Sequence, residues 1–111
     1  MTSQVQAVLA ITTVASDADA AALVRGLLEQ RLIACGTMLP EARSMYRWEG
    51  SLVNESETLV LLKTTTDRVA ALKSALAAMH DYQVPELLTF VASDGLPGYL
   101  AWLTAEVSPH E

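Results

Sequence analysis

Apolar residues return at every second position near the start of the chain. Val5, Ala7, Leu9 and Ile11 fall on one side, so residues 5–13 are expected to form a strand. The period then changes. Ala20, Val24, Leu27, Leu28 and Leu32 recur at helical spacing behind Ser16 and Asp17, either of which can cap a helix. Asp17 and Asp19 suit the positive end of its dipole. Period two returns near Thr37, with Pro40 expected to bend the start of the strand. Tyr46, Trp48, Gly50 and Leu52 keep the alternation, which predicts a strand running past Gly50 and a turn at Asn54-Glu55-Ser56, not at Glu49-Gly50. Gly50 is then expected to be a bulge or a point of close backbone approach. Residues 58–65 read as the returning strand. Residues 67–80 read as a second helix with Val69, Leu72, Leu76 and Met79 on its buried stripe. Pro85 blocks further helix and opens a strand at 86–92. Asp94-Gly95-Leu96-Pro97-Gly98 is a turn, and residues 99–106 form a short last helix.

The order is βαββαβ plus a terminal helix. It predicts an α+β fold of the ferredoxin-like split type, with both main helices on one face of an antiparallel sheet. The other face of a lone sheet should be polar. Here Leu59 and Leu61 point one way while Val60 and Leu62 point the other, and Leu88 and Phe90 oppose Leu87 and Val91. Val8 and Ala10 add to the second face. Leaving such side chains wet forfeits roughly 1.5–3 kcal/mol each. A second copy of the chain is the simplest cover. The hairpin at 44–65 exceeds the usual strand length and is expected to project as an arm.

At 111 residues the chain is expected to be one domain, 1–111, large enough to fold without a disulfide or metal staple. Charged residues are only 18% against 51% apolar, which again points to subunits hiding surface from water. The formal charge of −6 and scattered basic residues argue against nucleic acid. MTSQVQAVLAITT has no basic leader region and its apolar run is too short for a membrane span. With a single cysteine, a cytoplasmic protein is the expectation.

The stretch HDYQVPELL at 80–88 carries the densest chemistry. His80 at a helix end has two readings. It ends the helix, its proton held by a backbone carbonyl, or it is a metal ligand with Glu86 as partner. Cys35 is a small buried hydrophobe or a ligand for a soft ion such as copper. Lys63, the one charge in an apolar strand, is expected to pair with Glu49 or Glu86, or to meet an anion. Tyr46 and Trp48 share a strand face, and Tyr99 and Trp102 share the last helix; such aromatics usually pack at interfaces. No Gly-rich phosphate loop and no base–nucleophile pair stand out, so catalytic residues are expected to be none, and the chain is not expected to be an enzyme.

R-L-I-A-C at 31–35, M-Y-R-W-E-G at 45–50, L-L-K-T at 61–64, V-P-E-L-L at 84–88 and Y-L-A-W-L at 99–103 occur in this order. Together they resemble the CutA family of divalent-cation tolerance proteins over nearly the whole chain. The resemblance implies a ferredoxin-like subunit in a homotrimer similar to the PII signalling proteins, with sheets around the threefold and hairpins paired between subunits. It also implies a link to divalent ions, chiefly copper, and an inter-subunit cleft. Its polar cluster maps onto Cys35, Trp48, Lys63, His80, Tyr82, Glu86 and Trp102, with Cys35, His80 and Glu86 as the metal candidates. Many relatives read H-P-Y-E where this chain has His80-Asp81-Tyr82-Gln83, and some carry a cysteine on the first strand where Thr12 and Thr13 stand here. The expectation is therefore weak metal binding. The alternative is a PII-like sensor or scaffold whose Lys63 and aromatics meet a small anionic ligand or a partner protein.

Overall fold

The computed structural model describes residues 5–109, so Met1–Gln4, the start of the stretch weighed as a leader, and His110 and Glu111 lie outside it. The elements are β1 (Ala7–Val14), α1 (Asp17–Glu29), β2 (Cys35–Trp48), β3 (Ser51–Thr65), α2 (Val69–Met79), β4 (Leu88–Val91) and α3 (Pro97–Val107), with a short 3-10 turn at Thr66–Arg68. The four strands form one sheet in the order β2-β3-β1-β4, and every neighbouring pair is antiparallel. This is the ferredoxin-like arrangement expected from the sequence. No helix among the described residues is long and apolar enough to cross a membrane.

The core follows from the alternation of β1 and β3. Ala10, Val14, Val60 and Leu62 pack with Ala20, Leu23, Val24 and Leu27 of α1 and Leu72 and Leu76 of α2. Ser16 caps α1, its hydroxyl accepting from the Asp19 N–H at 3.1 Å. The helix ends with Arg31 in the left-handed region, φ 56°. The Leu32 N–H then reaches the Leu27 carbonyl and the Arg31 N–H the Leu28 carbonyl, both at 3.0 Å, satisfying two orphan acceptors. Arg31 also donates to the Glu106 carbonyl at 2.9 Å, tying α3 to this corner. Gly36 is required by packing, since a Cβ there would stand 2.7 Å from both Val24 methyl groups.

Three residues expected on buried helix stripes lie outside the core; one of them, Val69 at the start of α2, is half-buried. Leu28 and Met79 are 42% and 37% exposed, while Leu23 is buried. Leu28 sits at the last turn of α1, where the chain curls away. Met79 lies across α1 instead, its Cε filling the space a Cβ on Gly26 would need. Val5, expected to start the first strand, precedes it and is half-exposed.

The turn of the hairpin is Glu49-Gly50, not Asn54-Glu55-Ser56. Trp48 pairs with Ser51, and Met45, Ser44 and Arg43 pair with Asn54, Glu55 and Ser56. Glu49 and Gly50 both take positive φ, 48° and 83°. That two-residue geometry matches the twist of the strands it joins and selects glycine. The alternation through Leu52 was no guide to the turn, because both strands are largely exposed here and neither has a face fixed by burial. Strand β2 starts at Cys35, close to the expected return of alternation near Thr37, and the molecule measures 49 × 27 × 22 Å.

The bulge expected at Gly50 is instead at Pro40-Glu41. Leu39 pairs with Leu59 and Ala42 with Glu57, so two residues stand opposite the single Thr58. Pro40 has no N–H to give the ladder, and Glu41 takes φ 61°. The register places Cys35, Thr37 and Leu39 before the bulge, and Ala42, Ser44, Tyr46 and Trp48 after it, on the same sheet face as Lys63, Leu61, Leu59, Glu57 and Glu55.

That face is the one the two main helices leave open. Leu9 and Ile11 of β1 and Leu61 of β3 are half-buried there, while Leu39, Leu88 and Phe90 are 42%, 55% and 50% exposed. α3 covers only the end near Ala7, through Leu103 and Val107.

Candidate functional site

The corner at 80–88 is held by its own hydrogen bonds. His80 Nε2 lies 2.8 Å from the Thr13 carbonyl. Its Nδ1 accepts the Tyr82 N–H at 3.1 Å. A ring nitrogen that accepts an N–H carries no proton, so His80 is the neutral Nε2–H tautomer, donating to Thr13. The Thr12 hydroxyl donates to the Glu86 carbonyl at 2.7 Å, fixing the other side of Pro85. Both nitrogens of His80 are engaged with the backbone, and Glu86 is not its side-chain partner.

This corner turns Tyr82 toward the arm. The Tyr82 hydroxyl donates to Glu57 Oε2 at 2.6 Å. On the arm itself the Tyr46 hydroxyl donates to Glu55. Between corner and arm lies a groove of about 740 Å³ whose lining includes Trp48, Tyr46, Tyr82, Glu55, Glu57 and Glu86, with Arg43 beside them. Burial, then the hydrogen bond to Glu57, drives the Tyr82 phenol well above its usual value. The hydrogen bond to Glu55 is the largest cause pushing Tyr46 up to about 12.

A phenol whose folded value is raised stabilises the fold fully below its unfolded value of about 10 and loses that contribution as pH climbs through the folded value. For Tyr46 the window runs from 10 to about 12; for Tyr82 it begins at 10 and extends higher. Glu57 is 6% exposed, so Tyr82→Phe should cost about 1–3 kcal/mol at neutral pH by leaving a buried carboxylate short of a donor. Urea melts at pH 8 and pH 11 should show the gap between parent and variant narrowing at the higher pH. A gap independent of pH would remove the phenol–carboxylate bond as its cause.

The residues expected to form one cluster fall in four places. Trp48, Tyr82 and Glu86 line the groove. Lys63 donates to Thr37 Oγ1 at 2.6 Å and lies 3.6 Å from Cys35 Sγ on the open sheet face; it does not take Glu49 or Glu86 as its partner. Trp102 stacks on Tyr99 along α3, ring centroids 5.8 Å apart. His80 lies behind the groove, its ring 4.7 Å from that of Tyr82, and lines a smaller cavity of about 230 Å³ with Asp19, Met79 and Asp81. No group of three or more His, Cys, Asp and Glu able to hold a metal ion occurs among the described residues.

Glu55 and Glu57 were missed by the sequence reading, which placed Glu55 in a turn at Asn54-Glu55-Ser56 and left Glu57 just ahead of the returning strand at 58–65. The available signal was their spacing: they continue the alternation of Lys63, Leu61 and Leu59 onto the arm.

The CutA1 family profile, described as a divalent ion tolerance protein, matches residues 8–106. The divalent-cation tolerance protein CutA of Pectobacterium atrosepticum is 46% identical over 101 residues, 91% of this chain and 92% of that protein. That of Citrobacter koseri is 41% identical over 102 residues, 92% and 89% of the two chains. The crystal structure of CutA1 from Ehrlichia chaffeensis superposes with a TM-score of 0.91 at 29% identity, covering 96% of this chain and all (100%) of the other. CutA from Xylella fastidiosa gives 0.90 at 37% identity, over 93% and 99%. The chain belongs to the CutA family.

Proposed function

We propose that this chain assembles as a homotrimer and holds divalent cations weakly, copper foremost, where the groove meets a neighbouring subunit. The observation that carries the reading is the open sheet face, with Leu9, Ile11, Leu61, Leu88 and Phe90 left uncovered by the chain's own helices. Several apolar side chains at about 1.5–3 kcal/mol each favour a second copy over water. The alternative reading, a small anion met by Lys63 among aromatics, has less support. Lys63 lies off the groove, whose lining holds three carboxylates against one guanidinium. The role is one of binding, not catalysis. The unpaired Cys35 favours the cytoplasm, although the relative from Archaeoglobus fulgidus is described as periplasmic.

Within one chain the metal candidates do not fit a resident ion. Cys35 faces Lys63, both His80 nitrogens are taken, and Glu86 stands alone of the three in the groove. The ion is therefore cargo, attracted by carboxylates and completing its ligands across subunits. Calorimetric titration with copper should give binding near millimolar, about −4 kcal/mol, and Glu86→Gln should weaken it severalfold. No heat at that concentration would remove the metal reading and leave the family and fold untouched.

A further inference from the structure

The aromatic half of the groove has no work to do for a bare ion. A hard divalent cation wants several oxygen ligands at about 2.0–2.6 Å, and the described residues gather no such set. An organic ammonium wants something else: electron-rich ring faces and a carboxylate close enough to neutralise it without coordinating it. Trp48, Tyr46 and Tyr82 supply the rings, and Glu55, Glu57 and Glu86 the charge. A volume of about 740 Å³ suits a small organic molecule better than an ion.

Glu57 is the independent sign of a ligand. Its side chain is more than nine-tenths buried, at 6% exposure, yet it lines the groove. Oε2 accepts from Tyr82. Oε1 has no hydrogen-bond partner among the described residues. It is not sealed away either, since no fully buried side-chain oxygen among them lacks a partner. A carboxylate oxygen thus opens unpaired into an aromatic recess. Tyr46 donates its phenol proton to Glu55 and Tyr82 donates its own to Glu57, so the negative charge sits on carboxylates. Donating those protons to carboxylates also leaves the rings richer in electrons, which strengthens their hold on a cation.

We infer that the groove between arm and corner is a binding site for an organic ammonium cation, held against Trp48, Tyr46 and Tyr82 with Glu57 as its counter-charge. The inference does not rest on the metal reading. Choline is a suitable probe, because 3,3-dimethylbutan-1-ol has the same shape without the charge. Both are titrated into the full chain by calorimetry, in EDTA and at constant ionic strength, so that metal plays no part. Choline should bind about tenfold or more tighter than the alcohol. Glu57→Gln keeps an acceptor for Tyr82 while removing the charge; it should lose about tenfold for choline and nothing for the alcohol. Trp48→Leu should weaken both. Should Glu57→Gln fold poorly, the exposed Glu86→Gln supplies the charge test, with about a threefold loss for choline expected. Equal affinity for choline and alcohol, no choline heat, or charge variants that bind choline like the parent would each overturn the inference.

Discussion

Leu61→Asp is expected to leave a folded chain of 11.9 kDa where the parent gives three times that mass by light scattering. Leu61 sits in the middle of β3, opposite Ile11 on one side and Thr37 on the other. It belongs to the face with no helix over it. In a solitary chain that half-buried position still borders water, and the change there should cost about 0.5–3 kcal/mol. In an assembly it meets another subunit, and an unpaired carboxylate there costs several kcal/mol or forces the subunits apart. The size of the effect thus reports whether the face is covered. Phe90→Asp on the edge strand β4 tests the same face from a half-exposed position, at 50%, and guards against a folding defect confined to the centre of the sheet. A parent of monomer mass would remove the trimer. A variant retaining trimer mass would move the interface elsewhere.

Leu62→Ala is the complementary case, one residue along and facing the opposite way. Leu62 is 0% exposed and packs under both main helices. Truncating it removes transfer energy and leaves a void, about 2–5 kcal/mol. For a chain of this size that corresponds to a melting temperature lower by about 10–20 °C. The subunit mass should not change at protein concentrations well above the dissociation constant. Differential scanning calorimetry at fixed concentration separates the two variants, because assembly itself raises the melting temperature. A drop of only a degree or two would mean that the helix layer closes over the gap.

The helix-covered half of the fold was legible because burial there is one-sided. Ala20, Val24 and Leu27, or Leu72 and Leu76, face a core that enforces their period. The arm was misread for the opposite reason. From Met45 to Leu52 almost every side chain is exposed, so alternation in that stretch records no inside and no outside. What fixes the turn is the backbone at Glu49 and Gly50, and the sequence cue for it was the glycine itself. The site was legible by composition but not by assembly. The corner at 80–88 was identifiable from Pro85 and its polar neighbours. That His80 spends both nitrogens on the backbone, while Tyr82 reaches a glutamate 25 residues earlier, depends on how corner and arm meet in space. Cys35 and Lys63 drew attention as chemistry and proved to be each other's neighbours on an apolar sheet.

The irregularity at Pro40-Glu41 gives this arm a reading frame of its own. Before it the odd-numbered residues of β2 look toward the open side, and after it the even-numbered ones do. Loss of one residue between Leu39 and Ala42 would restore a plain ladder, with one residue opposite Thr58 and Ala42 still opposite Glu57, so Tyr46 and Trp48 would keep the face they now occupy. What the extra residue supplies is the bend and added twist with which the arm leaves the sheet, and so the angle at which its side chains meet the corner at 80–88.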